Sequence, residues 1–459
     1  MTEAYSDLAE MLENEKYEST RSLLPKHENP KMTNSEIAKL ALKLGCLSFG
    51  GAETRQQLIK DALVEEIQSV DESTFTNIKD LCLLLPGYSS STFLSALCTV
   101  NTQSIFSGII ALFCYNVPSL ILIVLFSYII EIIKYQVTPN VTNYNPNALY
   151  FTMRDDFIMF ALWSRAAGVA QSALALLAIS AISLMKKLSN NAFQLMLVII
   201  AMLLYMYRQD FEYLLVIMII AGVSSILKGD HDYLFDVPRI GEDEQFVNIS
   251  FTGWPCIVMY LIVYSFFWIF SYKTSNSIYS FLGENFLKMG AVSIGEGNVM
   301  IPMIFGEFQK TVEEAEVLNG YALVSLLPGS MLNTASYIGV ITSNIFGGVL
   351  SGVLIFLPGF LFILAALPYF TKIKYTTGFQ FFIRGANSGA VGFIWACIIK
   401  LWFDSCIVNP YTTDVLGSIN VILCYVLSEY MKIHKTFVLG LGAVINLVFE
   451  IIVHLIWKR

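Results

Sequence analysis

Two short stretches decide how this chain folds: Gly45-Cys-Leu-Ser-Phe-Gly-Gly51 and Leu83-Leu-Leu-Pro-Gly-Tyr-Ser89. Each returns later, in the same order, as Gly290-Ala-Val-Ser-Ile-Gly-Glu296 and Ser325-Leu-Leu-Pro-Gly-Ser-Met331. The offset is 245 residues for the first pair and 242 for the second. Two more landmarks keep this order, since Pro118 matches Pro358 and the stretch around Arg165 matches the one around Asn387. The sequence therefore predicts an internal duplication.

The composition places these motifs in a membrane protein. Of 459 residues, 55% are hydrophobic and 14% are charged, and the mean hydropathy is +0.62. A soluble protein carries roughly 25% charged residues, so this chain must be solvated largely by lipid. Its net charge of −8 lies in two segments, residues 1–36 and 228–246, which contribute −4 each. An acidic balance argues against a nucleic-acid partner, which needs a basic face.

Long apolar stretches without period-2 alternation predict helices rather than barrel strands. The expected fold is an all-α polytopic membrane protein of two repeats with broken or re-entrant helices and about 10–13 membrane segments. The clearest spans are residues 105–133, 157–185, 254–270, 345–370 and 437–456. Soluble material is expected in the N-terminal tail and in the loops 135–156 and 228–252.

The predicted organisation has four parts. Residues 1–34 form a polar acidic tail, 35–227 the first transporter repeat, 228–273 an acidic loop plus a connecting transmembrane helix, and 274–459 the second repeat. The N-terminus has no apolar signal-peptide core, and it is expected in the cytoplasm. The sequence does not select between the plasma membrane and an organelle membrane.

Motifs for catalysis are missing from the sequence. It contains no H-E-x-x-H, G-x-S-x-G, Walker A or G-x-G-x-x-G pattern, so we expect neither an enzyme nor an ATP-driven pump. The eight cysteines show no C-x-x-C spacing and the four histidines are scattered. Neither a disulfide framework, nor a metal site, nor a cofactor is therefore predicted.

Glycine pairs and Pro-Gly breaks inside apolar helices indicate a binding site. Exposed backbone at membrane depth is tolerated only inside protein or beside a wet cavity, and half-helices that begin there direct positive N-termini at an anion. The alternative is that Pro-Gly only kinks a helix, while the small hydroxyls pack against neighbours. The candidate substrate-binding residues are Ser48, Gly50, Gly51, Pro86, Gly87, Ser89, Ser90, Arg165, Gly295, Gly297, Asn298, Pro328, Gly329, Ser330, Asn333 and Asn387.

Embedded charges form a second group of candidates, assigned to proton coupling or gating: Glu53, Glu296 and Arg384. A buried guanidinium costs roughly 2.5–3.5 kcal/mol on insertion scales, so it is usually paired or faces water. We expect Arg165 to face the cavity, and Arg384, near the start of its segment, to reach the interface. Glu296 could carry a proton or form a salt bridge with either arginine, and both readings stay open. Lys400 and Asp404 are expected to be an i,i+4 pair.

Taken together, the repeated motifs resemble the chromate ion transporter family, whose halves each carry a Ser-Phe-Gly-Gly turn and a Pro-Gly-Pro break. The matching stretches are Leu47–Gly51, Leu85–Tyr88, Ser293–Gly297 with Met300–Pro302, and Leu327–Ser330. Departures occur at Ala52, Tyr88, Glu296 and Ser330. The resemblance implies an oxyanion carrier of the chromate and sulfate class, with two repeats of inverted topology.

The predicted function is secondary active transport of a small oxyanion by alternating access, with proton coupling as an option. The alternatives are an anion channel or sensor on the same scaffold, or a membrane scaffold that does not transport. The expected partners are a small inorganic anion and the lipid bilayer, with a homodimer left open.

Overall fold

The structure is a computed structural model that describes residues 30–137, 157–189, 191–208, 211–228, 252–273, 277–293, 297–308, 311–369, 376–409, 412–413, 415–433 and 435–457. Helices dominate these residues, which confirms the predicted all-α class. The N-terminal tail to residue 29 and most of both predicted loops (138–156 and 229–251) lie outside the described residues. Tyr135, predicted to begin the first loop, still belongs to a helix that ends at Val137.

The first repeat begins with helices separated by the predicted breaks. The helix α1 ends before Gly50-Gly51, and α3 ends before Pro86-Gly87. The described helices of this repeat are α1 (Asn34–Leu47), α2 (Ala52–Lys60, continued by a π-helical turn Asp61–Glu66), α3 (Glu72–Leu84), α4 (Ser90–Thr102), α5 (Ile105–Val137), α6 (Phe157–Leu188), α7 (Ala192–Tyr207) and α8 (Phe211–Lys228).

The second repeat follows a connecting helix, α9 (Trp254–Lys273), and has the same element order. Its described helices are α10 (Ile278–Val292), α11 (Met300–Phe308), α12 (Glu314–Leu326), a 3-10 turn (Met331–Asn333) leading into α13 (Thr334–Thr342), α14 (Ile345–Leu354), α15 (Leu357–Ala366, followed by a 3-10 turn Leu367–Tyr369), α16 (Thr377–Cys406), α17 (Val415–Glu429) and α18 (Lys435–Trp457). Between α16 and α17, β1 (Ile407–Asn409) pairs antiparallel with β2 (Thr412–Thr413), with Ile407 opposite Thr413.

The two repeats differ where a proline follows the fourth helix. Pro118 lies inside the continuous helix α5, whereas Pro358 lies at the start of α15 and separates it from α14. The predicted span 345–370 therefore contains a break. Proline is tolerated in the first helical turn because its missing N–H would have had no intrahelical acceptor there.

Four described stretches are long and apolar enough to cross a bilayer: Ile105–Ile132, Trp254–Lys273, Ile345–Tyr369 and Gly378–Phe403. Several shorter apolar helices accompany them, among them Ala192–Tyr207 and Phe437–Val448. A full crossing needs roughly 20 residues as helix, so the 16-residue helix Ala192–Tyr207 is short for a complete span.

One long helix of each repeat packs against the other repeat. The helix α6 packs against α17 and α18, and its counterpart α16 packs against α7 and α8. When a two-fold axis relates two repeats, every contact between them occurs twice, the second time with the roles of the repeats exchanged. Buried polar groups join both clusters: the Asn420 amide of α17 donates to Gln171 Oε1 of α6 (2.9 Å), and the Ser388 hydroxyl of α16 donates to Gln194 Oε1 of α7. The repeats are thus intertwined.

At the centre, backbones of the two repeats touch directly. A Cβ added to Gly359 would lie 1.9 Å from the carbonyl oxygen of Gly87, and one added to Gly329 would lie 2.6 Å from Cβ of Ser119. Ser119 and Gly359 occupy equivalent places in the two repeats, 240 residues apart. The close approach is therefore made twice, and only glycine permits it at Gly87 and Gly329, which also adopt φ of 79° and 123°.

We expect Gly359→Ala to destabilise the protein by about 1–3 kcal/mol, the usual cost of overpacking. A helical glycine changed to alanine ordinarily gains up to about 1 kcal/mol, so the sign of the effect reports the contact. Thermal unfolding of the purified protein in detergent measures it. The matched control is Gly440→Ala, where an added Cβ meets nothing within 4 Å. A Gly359→Ala variant as stable as Gly440→Ala would refute the close contact.

Candidate functional site

Two reciprocal hydrogen bonds join the breaks of the two repeats. The Gly329 N–H donates to the Ser48 carbonyl oxygen (3.0 Å), and the Gly87 N–H donates to the Ser293 carbonyl oxygen (2.7 Å). In each case the glycine follows the proline of one Pro-Gly break, and the acceptor ends the first helix of the other repeat. The four break motifs are therefore brought together at one place.

Each Pro-Gly break is followed by a half-helix whose N-terminus is capped by serine. Ser89 Oγ accepts from the Thr92 N–H (3.2 Å) at the start of α4, and Ser330 Oγ accepts from the Leu332 N–H (3.3 Å) before α13. Both hydroxyls are buried. Two buried helix N-termini give the centre a positive potential, with each helix equivalent to roughly half an elementary charge.

A buried arginine adds a full charge at this point. Arg55, in the first turn of α2, is only 2% exposed. Its Nη1 donates to the carbonyl oxygens of Gly50 (2.6 Å) and Gly329 (2.9 Å), and its Nε donates to Ser90 Oγ (3.2 Å). The guanidinium thus contacts the break of its own repeat, the half-helix α4, and the break of the other repeat.

A cavity of about 510 Å³ opens beside Arg55. The repeats share its lining, which includes Gly51–Gln56 and Tyr88 from the first and Asn298, Tyr321, Ser325 and Asn387 from the second. Among the described lining residues, Arg55, Lys186 and Lys432 are basic and Glu53 and Glu429 are acidic. Lys186 and Lys432 are exposed, whereas Arg55 is buried, so the cavity leads from exposed lysines toward the buried arginine.

A smaller cavity of about 160 Å³ also lies against the break residue Pro86. Its lining is almost wholly apolar and comes from the ends of α3 and α10 together with α8 and α16. Leu83, Leu85 and Asn387 line both cavities. The two cavities therefore approach each other at these three residues and differ in size and polarity.

The helical hairpin formed by α10 and α11 lies beside the smaller cavity and contains two ion pairs. Lys288 on α10 lies 3.7 Å from Glu284 of the same helix and 3.8 Å from Glu307 on α11. Residues Met300–Phe305 of α11 are buried. The equivalent helix of the first repeat, α2, instead exposes Glu53, Thr54 and Gln57. The two hairpins therefore differ in solvent access.

Comparison with known proteins gives the family. A family model described as chromate transporter matches residues 35–226 and 281–447, one segment in each repeat. The chain belongs to the chromate transporter family. The resemblance inferred from the break motifs is thereby confirmed, and this family member is an integral membrane protein with two repeats.

Its relatives are named as transport proteins. It is 21% identical to a probable chromate transport protein of Synechococcus elongatus, over 92% of this chain and 97% of the relative. It is 22% identical to an uncharacterized transporter of Methanocaldococcus jannaschii, over 83% and 87%, and 26% identical to a chromate transport protein of Cupriavidus metallidurans, over 38% and 43%. No solved structure matches the chain.

The predicted site residues of this chromate transporter family member fall into three sets. Gly51, Asn298, Asn387 and the candidate coupling residue Glu53 line the larger cavity. Pro86 lines the smaller one. The remaining described residues form the contacts between breaks or lie in the same buried turns: Ser48, Gly50, Gly87, Ser89, Ser90, Gly297, Pro328, Gly329, Ser330 and Asn333.

The structure corrects one expectation about the charged residues. Arg384 is 5% exposed and so does not extend to the interface. At this point α16 lies directly against α8, since a Cβ added to Gly385 would be 2.3 Å from the Ala221 carbonyl oxygen. Gly295 and Glu296 lie outside the described residues, as do the side chains of Arg165 and Asp404.

Arg55 is the residue that the sequence analysis missed. It lies in the polar stretch after Gly50-Gly51, which reads as an amphipathic surface helix. The available signal was its spacing, because an arginine one turn after a glycine break can reach back to the exposed carbonyl group.

We expect the larger cavity to be open to water along α6. Ser183 lines it, whereas Ser172 on the same helix is fully buried. In a cysteine-free background, Ser183→Cys should react with a charged maleimide at least about ten times faster than Ser172→Cys. Equal labelling rates would show that the cavity does not admit solvent.

Proposed function

We propose that this protein transports a small tetrahedral oxyanion of the chromate and sulfate class by alternating access. The observation that carries the proposal is the position of Arg55, buried beside the larger cavity and bonded to the breaks of both repeats. The names of the relatives from Synechococcus elongatus and Cupriavidus metallidurans support the substrate class.

The chemistry of the cavity favours an anion. A guanidinium forms charge-assisted, often bidentate hydrogen bonds with oxyanions, roughly twice as strong as neutral ones. The N-terminus of α4 adds positive potential beside it. Since one water takes up about 30 Å³, a cavity of about 510 Å³ has room for a small oxyanion that keeps part of its hydration shell. Lys186 and Lys432 at the exposed end would attract anions to it.

The unequal cavities support alternating access rather than a channel. A channel needs a continuous water-filled path. Here the backbones of Gly87 and Gly359 are in contact where the breaks of the two repeats meet, which we call the crossing, and this contact interrupts such a path. We infer that the larger cavity is the open side and that the smaller cavity, beside the Lys288 ion cluster, is the closed side. In inverted repeats, exchange of the two hairpin conformations would open the other side.

Proton coupling is part of the proposal. Of the two carboxyl groups that the sequence favours, Glu53 is described, and it lies exposed in the larger cavity two residues from Arg55. A cytoplasmic N-terminus and a homodimer remain predictions.

Uptake of radiolabelled sulfate and chromate into proteoliposomes tests the function, with and without an imposed pH gradient. We expect saturable uptake by the wild type and at least about a tenfold loss in Arg55→Gln, because a hydrogen bond to a charged group contributes about 1.5–3 kcal/mol. The matched control is Gln57→Ala, an exposed residue of α2 whose side-chain amide donates to Asp61 in the same helical segment. Absence of uptake under every gradient would refute transport.

A further inference from the structure

We propose that the Arg55 side chain holds the two repeats together until an oxyanion binds to it. We call this contact, between the Arg55 guanidinium and the Gly329 carbonyl oxygen, the latch. The inference rests on the proposed function and adds a coupling role to the binding role. In this structure the guanidinium holds the Gly329 carbonyl oxygen, which belongs to the other repeat, 274 residues away in the chain. An oxyanion that enters the cavity accepts hydrogen bonds from the same guanidinium.

The competition follows from the geometry of arginine. A bidentate contact uses two neighbouring N–H groups of the planar fork. One face of the fork includes Nη1, which already donates to Gly50 and Gly329, and the other includes Nε, which donates to Ser90. A bidentate anion must therefore displace at least one of these acceptors. Being charged, it is a stronger acceptor than a neutral carbonyl group.

Of the three acceptors, Gly329 is the one that an anion displaces with consequences for the whole molecule. Gly50 and Ser90 belong to the same repeat as Arg55, so losing either contact leaves the repeats joined as before. Gly329 is held to the first repeat twice, through its carbonyl group by Arg55 and through its N–H by Ser48. Release of the carbonyl group leaves a single backbone hydrogen bond at that crossing.

Among the described residues, the helix at the equivalent crossing carries no such latch. There the Gly87 N–H donates to Ser293, but the helix equivalent to α2 is Met300-Ile-Pro-Met-Ile-Phe-Gly-Glu-Phe308, which contains neither lysine nor arginine. Of the two described helices that follow the glycine breaks, α2 alone therefore carries a cation that can respond to an anion in this way. The latch makes movement of the repeats depend on occupancy of the cavity by an anion.

Hydrogen–deuterium exchange of the purified wild-type protein tests the latch, in sulfate and in chloride at equal ionic strength. We expect amides of residues 329–334 to exchange at least about threefold faster in sulfate, with a smaller change in residues 87–92, the equivalent turn of the other crossing. Arg55→Lys, which keeps the charge but loses the fork, should exchange fast in both salts. Gln57→Ala should behave as the wild type.

The outcomes separate the latch from the proposed function. If the wild type transports sulfate but residues 329–334 exchange equally in both salts, the latch is wrong and transport stands. The latch is also wrong if Arg55→Lys keeps both the slow exchange in chloride and the response to sulfate. Fast, sulfate-insensitive exchange in a folded Arg55→Lys variant supports it.

Discussion

The exchange of backbone hydrogen bonds between the two repeats is the constraint on which the rest of the structure depends. Gly329 donates to Ser48 and Gly87 donates to Ser293. These bonds satisfy backbone groups that the helix breaks would otherwise leave exposed at membrane depth, where an unsatisfied group costs several kcal/mol. Each repeat thus completes the break of the other, and neither centre can form alone. The close approach of Gly87 to Gly359 follows from this arrangement, as does the burial of the serine caps.

The repeats share a framework but differ in the residues placed on it. In the first repeat the helix after the break is polar, lines the larger cavity and carries Arg55. In the second repeat the equivalent helix is largely apolar and buried, and Glu307 near its end lies beside Lys288. The framework therefore provides two equivalent crossings, and of the two described helices that follow the glycine breaks only α2 carries a buried cation, Arg55. A transporter that must distinguish loaded from empty states needs such a difference.

Much of the framework could be predicted from sequence because its determinants are local. Gly50-Gly51, Pro86-Gly87 and Pro328-Gly329 each lie between helices, and the similar offsets of these motifs from their counterparts revealed the repeat. Contacts between distant segments could not be predicted in this way. Arg55 reads as a surface residue until Gly329 is placed beside it, and Asn333, predicted to bind substrate, donates its amide to Ser119. The packing of α6 with α17 and α18 likewise depends on three-dimensional arrangement, which periodicity does not encode.

The central claim is that the crossing of the four breaks binds an oxyanion through Arg55. Anomalous diffraction from crystals grown with tungstate, a heavy tetrahedral oxyanion, tests it most directly. We expect an anomalous peak beside the Arg55 guanidinium at the N-terminus of α4, with oxyanion oxygens about 2.7–2.9 Å from the guanidinium nitrogens. A peak found only at Lys186 and Lys432, with Arg55 still bonded to Gly329, would contradict binding of the oxyanion by Arg55.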